Sequence, residues 1–138
     1  MERIAHALSG CEEVVAAYVF GSRVVGRARR DSDVDVAVVF RAELDDDRRF
    51  ALRCALSERV ARAAGAARAD VVDLERAPPL LAREVIARGH LLFSRDEPRR
   101  VRVVARQTMR YVDTRPLRRV QDEAVFRRLR EGTFGRLA

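Results

Sequence analysis

Two short stretches carry the residues best placed to do chemistry: Gly21-Ser22, and Asp33-Val34-Asp35 after ten intervening residues. Gly21 and Ser22 follow an apolar run, VVAAYVF, and precede a short segment with turn or helix character. A glycine there lets a ligand approach the backbone closely. Amide groups exposed at a helix start, together with the Ser22 hydroxyl, form a phosphate site. Asp33 and Asp35 stand two apart at the head of DVDVAVVF, which reads as a strand. That spacing puts both carboxylates on one face, with Cα atoms about 6.5–7 Å apart. Such a pair suits two hard cations separated by about 3.5–4 Å. Magnesium in particular combines carboxylates with substrate phosphate oxygens and water. Phosphate cradle and metal-binding edge together are what phosphoryl or nucleotidyl transfer requires.

Asp35 is the most informative of these residues. Val34, Val36, Ala37, Val38, Val39 and Phe40 surround it in sequence, and an unpaired buried carboxylate costs several kcal/mol. A metal or an arginine partner is therefore expected. Asp31 reads as turn solvation, and Ser32 with Asp33 could equally cap backbone amides at a strand entry. Asp70 and Asp73 both follow on a later apolar stretch; three apart on a strand, they point to opposite faces. Arg23 and Arg27 could assist phosphate binding, but 28 basic residues make any single exposed arginine uninformative. His6 and His90 have no metal-ligand companions at helical or strand spacing and read as structural or surface residues. Arg83 and His90 are divided by the helix stop Gly89, which argues against a joint nuclease motif. Tyr18 reads as core and Tyr111 as a packing or interface residue.

The elements that must position these groups follow from periodicity and punctuation. Residues 2–9 read as a short helix, Val14 to Phe20 as a buried strand, 22–29 as a short helix or turn, and Asp33 to Phe40 as a second strand. Asp45, Asp46 and Asp47 favour a helix start. Phe50, Cys54, Ser57, Ala61 and Ala64 then fall at helical spacing until Gly65, which places Cys54 in the core. Val71 to Leu74 is a third strand. A helix runs from Pro78-Pro79 to Gly89, Leu91 to Phe93 forms a short edge strand, and helix resumes after Asp96 to Tyr111. It breaks near Pro116 and returns to about Arg130. The expectation is one α/β (α+β) unit, a small mixed sheet flanked by helices, with a core over 1–96 and a C-terminal helical tail over 97–138. The tail, with Val120, Val125, Phe126 and Leu129, would pack on the core or on a partner.

Totals constrain the function. The chain has 138 residues, 48% hydrophobic and 36% charged, a globular composition able to bury a core without staples. Its net charge is +7, yet every basic residue is arginine and acids recur throughout. The absence of lysine excludes a Walker-type phosphate lysine and a Schiff base. No apolar stretch is long enough to span a bilayer, and MERIAHALSG lacks the pattern of a secretion signal. The expected setting is cytoplasmic, with Cys11 and Cys54 as reduced thiols.

The Gly21-Ser22, Asp33-Val34-Asp35 pattern resembles the signature of the polymerase-beta-like nucleotidyltransferases, and most of all their minimal (MNT) branch. Gly26 and Ser32 match further positions of that pattern. The third family carboxylate lies on a later strand, and ADVVDLE offers Asp70 there. APPLLAREVIARGHLLFSRD is similar to the family's next helix and edge strand, so the resemblance covers about residues 14–96. YVDTRP and REGTFGR resemble the tail of MNT antitoxins from HEPN/MNT toxin–antitoxin systems. The resemblance implies that Asp33, Asp35 and Asp70 hold two magnesium ions, and that Gly21 and Ser22 hold the triphosphate of ATP. Asp70 would serve the ion that activates the acceptor hydroxyl. It further implies an antitoxin that transfers AMP to a tyrosine of a cognate HEPN ribonuclease, in a hetero-oligomer with it. Competing readings are a nucleotidyltransferase for a small hydroxylated molecule, as in aminoglycoside-modifying enzymes, and an antitoxin that acts by binding alone. Direct nucleic-acid binding has no recognisable motif behind it, and no membrane partner is expected.

Overall fold

The computed structural model describes residues 1–21 and 33–114. Eight elements follow in order: α1 (Glu2–Ser9), β1 (Val14–Phe20), β2 (Val34–Phe40), α2 (Asp46–Ala64), β3 (Ala69–Asp73), α3 (Pro79–Arg88), β4 (His90–Ser94) and α4 (Glu97–Asp113). The strands form one sheet in the order β3-β2-β1-β4. β1 pairs antiparallel with β2 and β4, and β2 pairs parallel with β3, so the sheet is mixed as expected. The stretch 22–29, expected as a short helix or turn, and the helix expected after Pro116 to about Arg130 lie outside the described residues, as do Ser22, Arg23, Gly26, Arg27, Asp31 and Ser32.

β1 and β2 are the central strands, buried on both faces, which is why they read as unbroken apolar runs rather than alternating ones. On one face α1 and α2 pack through Ile4, Leu8, Leu52, Leu56 and Val60 onto Val14, Ala17, Val19, Val36 and Val38. On the other, Ala82, Val85 and Val103 of α3 and α4 pack onto Val15, Tyr18, Phe20, Ala37 and Val39. Tyr18 is core as expected, with its hydroxyl accepting from the Arg100 guanidinium at 2.8 Å. β4 is the expected edge strand. Arg83 stacks over the Tyr111 ring at 5.4 Å, giving that tyrosine its packing role.

Local chemistry sets the helix ends. Asp45 caps α2 by accepting from the Arg48 amide at 2.8 Å, and Gly65 ends it in the left-handed conformation. Asp96 caps α4 by accepting from the Arg99 amide. The expected buried stripe of α2 is corrected by the structure. Phe50 and Cys54 are exposed, and Arg49, Leu52, Leu56 and Val60 face inward. Alanine is frequent enough in α2 that two stripes satisfy helical spacing; the one bearing two leucines and a valine buries more area and prevails.

α4 is tied to the β3–α3 connection. Gln107 donates from its amide nitrogen toward the carbonyls of Leu74, Glu75 and Ala77 at 2.7–3.1 Å. Arg99 donates to both carboxylate oxygens of Glu75 and to the Phe40 carbonyl. Arg49, almost fully buried, completes this network with 3.0 Å contacts to Asp73 and Glu75. Bidentate hydrogen bonding from Arg99, with Arg49 beside it, holds the Glu75 carboxyl down at about 2.

Candidate active site

β1, β2 and β3 converge at one end of the sheet, and each contributes a residue there. Phe20, the last residue of β1, lies opposite Asp35 on β2. Asp35 lies beside Asp70 on β3 in the parallel register. Residues paired across a sheet point to the same face, so Asp35 and Asp70 share the face of Phe20, the one covered by α3 and α4. Asp33 sits two residues before Asp35, at the mouth of β2, with its amide neighbour Val34 donating to the Arg68 carbonyl at 3.1 Å.

Gly21 meets this cluster through its missing side chain. Its φ of 78° is in the left-handed region, and a Cβ there would lie 2.5 Å from Asp35 Oδ2. The backbone conformation favours glycine, and a Cβ would in addition displace the Asp35 carboxylate oxygen. The sequence marks Gly21 as a ligand-approach point; the structure adds that Asp35 already approaches it.

Asp35 is half-buried, while Asp33 and Asp70 are exposed. Burial, then the negative charges of Asp70 and Asp33, push the Asp35 carboxyl above the ordinary aspartate range. Those influences contain no arginine, so among the described residues the arginine partner expected for Asp35 is not found. Asp33 makes a long, exposed ion contact of 3.9 Å with Arg68. Asp73, the competitor for the third carboxylate, is withdrawn from this site. It is buried on the opposite face, where its Oδ2 accepts from Arg49 at 3.0 Å and its Oδ1 from the Glu75 amide at 3.1 Å.

The donor set suits a hard divalent cation: oxygen ligands only, carrying mutually repelling charge that a cation would relieve. Among the described residues no three acidic, histidine or cysteine side chains already converge tightly enough to hold a metal. The Asp35–Asp70 pair is set by strand register, whereas Asp33 stands just before β2 beside Arg68, near enough for its charge to act on Asp35. Ser22 lies outside the described residues. His6 and His90 are exposed on α1 and β4, with His90 opposite Val19 of β1, and Arg83 and His90 belong to different elements. Sequence reasoning missed Arg68, for which the only signal was its place two residues before Asp70.

The polymerase beta nucleotidyltransferase family profile matches residues 2–98. Among solved structures, one of a toxin–antitoxin with AMP-PNP aligns at 25% identity with a TM-score of 0.73, over 91% of this chain and 97% of that one. A complex of tri-AMPylated Shewanella oneidensis HEPN toxin with MNT antitoxin aligns at 22% identity and a TM-score of 0.68, over 91% and 94% of the two chains. The toxin–antitoxin MntA–HepT aligns at 22% identity and 0.67, over 91% and 95%. The latter two likenesses establish the fold. No curated protein matches the chain closely enough in sequence to count as a relative. No helix among the described residues is long and apolar enough to cross a membrane.

Proposed function

We propose, from the premise that the chain belongs to the polymerase beta nucleotidyltransferase family, that it is a magnesium-dependent antitoxin transferring AMP from ATP to a tyrosine hydroxyl of a cognate HEPN ribonuclease. The observation that carries this reading is the parallel pairing of Asp35 with Asp70 beside the Cβ-free approach at Gly21. Support for the substrate and acceptor comes from the neighbouring folds: one is in a toxin–antitoxin with AMP-PNP, another in a complex whose HEPN toxin is tri-AMPylated.

In this reading Asp33, Asp35 and Asp70 hold the metal, and the Gly21 backbone with Ser22 holds the triphosphate. Magnesium, when bound, would neutralise phosphate charge and acidify the acceptor hydroxyl. Asp70, exposed at the rim, orients the acceptor hydroxyl toward the α-phosphorus and accepts its proton. The hydroxyl oxygen forms the new bond to phosphorus, the bond to the β-phosphate oxygen breaks, and pyrophosphate departs. Catalysis rests on positioning and charge compensation. The setting is cytoplasmic, where ATP and the acceptor meet.

Purified protein mixed with labelled ATP, magnesium and the product of the neighbouring gene tests the reading. Label on a tyrosine of the partner, lost on chelation, is expected; a partner that stays unlabelled under conditions active for another family member overturns it. The competing reading is neutralisation by binding alone. Asp33→Asn with Asp35→Asn separates the two: full protection of cells by the folded double variant would establish binding alone.

A further inference from the structure

A second surface lies on the opposite face of the sheet from the carboxylates. α1 and α2 leave a groove between them whose floor is Ala7, Gly10 and Ala63 and whose rim carries Arg3, His6, Arg59 and Arg62. Glu2 stands at one edge. All three rim arginines are exposed, and none pairs with a carboxylate among the described residues. Most other arginines of the fold behave differently: Arg48, Arg49, Arg76, Arg99 and Arg100 are each committed to an acid. A cluster of uncommitted guanidinium groups around small apolar residues matches an acidic segment carrying some apolar side chains.

Protein fits this groove better than nucleic acid does. Its lining sets the Glu2 carboxylate among the guanidinium groups; a peptide can place its acids against the arginines and a neutral residue against Glu2, whereas a phosphate backbone carries negative charge at every step. The floor is apolar and small, suited to side chains of a peptide. The placement is also informative. Arg62 and Ala63 lie in the last turn of α2, and residues 65–68 then lead directly into β3 and Asp70. Groove and carboxylate cluster therefore flank the same end of the sheet from opposite faces. A partner clasping that end could rest one segment in the groove while presenting a hydroxyl to Asp35 and Asp70.

We propose that the α1–α2 groove is the docking site for an acidic segment of the protein that accepts the nucleotide. The proposal rests on the reading that the acceptor is a protein. Calorimetric titration of the purified neighbouring-gene product into wild type and into Arg59→Glu with Arg62→Glu tests it, alongside transfer of labelled AMP at several partner concentrations. Affinity should fall about tenfold or more in the reversed variant, with a shallower salt dependence. Labelling should weaken at low partner concentration and recover at saturation, because the groove touches no reacting atom. Arg59→Gln with Arg62→Gln, a gentler change on the same exposed face, should give an intermediate loss, so a folding defect in the first variant would not hide the answer. Equal binding by all three proteins overturns the docking site while leaving nucleotide transfer intact. A short single-stranded RNA bound by wild type and released by the reversal, with partner affinity unchanged, also overturns it. A partner that neither binds wild type nor takes label overturns this proposal and the protein-acceptor reading together.

Discussion

Asp35 and Asp70 stand side by side on neighbouring parallel strands, and each charge makes the other harder to carry. The fold holds this repulsion in place through backbone pairing: Val34 donates to Arg68 and the β2–β3 ladder continues through Val38. Like charges placed together in this way cost stability, and a cation or a proton would relieve the repulsion.

Asp35→Asn should therefore separate activity from stability. With Asp35 in the proposed role of metal ligand, transfer should fall by about 100-fold or more, at least the loss that outer-shell partners of a metal site cause. The folded protein should become more stable at pH 7 without magnesium. The Asp35 carboxyl is raised in the folded state, so the unfolded chain releases its proton first. Wild-type stability thus drops as pH climbs from the ordinary aspartate range through the raised value, and the asparagine variant escapes that drop. Denaturant midpoints measured from pH 3 to 8 check this; a variant less stable than wild type at pH 7 would contradict it.

Gly21→Ala should cost about 1–3 kcal/mol from the left-handed backbone and the crowding of Asp35. Part of that cost should vanish in the double variant with Asp35→Ala, which removes the carboxylate that the new methyl meets. A thermodynamic cycle reads the coupling directly. Additive effects would show that the crowding at Gly21 has no energetic consequence.

Arg49→Ala should be among the most damaging changes away from the site. It strands the Asp73 carboxylate in a buried position, at a cost of about 3–5 kcal/mol. Transfer per folded molecule should stay within a fewfold of wild type, because Asp73 faces away from Asp35. The comparison distinguishes Asp73 from Asp70: Asp70→Asn should leave stability nearly unchanged and abolish transfer. Chemical denaturation and an active-site-normalised rate supply both numbers.

Glu75 should govern acid sensitivity. Its carboxyl titrates at about 2 in the folded protein against 4.5 ordinarily. The stabilisation it provides is complete above pH 4.5 and disappears as pH falls toward 2. Glu75→Gln should lower stability at pH 7 and flatten the pH dependence between those limits. An unaltered acid-unfolding profile would mean that Arg99 and Arg49 do not hold the charge as their geometry indicates.

Much of this protein is written locally. The runs Val14–Phe20 and Val34–Phe40 could only be buried strands, Asp45 and Gly65 bracket α2, and Pro79 and Gly89 bracket α3, because cap and turn chemistry acts over a few residues. The meeting of Gly21 with Asp35 was legible for the same reason, from a strand end and a strand start of apolar runs; Asp33, expected on the strand with Asp35, stands just before β2 beside Arg68. Which stripe of α2 turns inward was not legible, since alanine suits both faces and only the sheet beneath chooses Leu52, Leu56 and Val60 over Phe50 and Cys54. Nor could local pattern separate Asp70 from Asp73 by itself. That choice belongs to the parallel register of β3 on β2, which sets Asp70 beside Asp35, and to Arg49, which reaches across from α2 to bury Asp73. Local sequence determines elements and their ends through short-range sterics and hydrogen bonding; pairing between distant strands, settled only when the whole sheet closes, decides which charges meet.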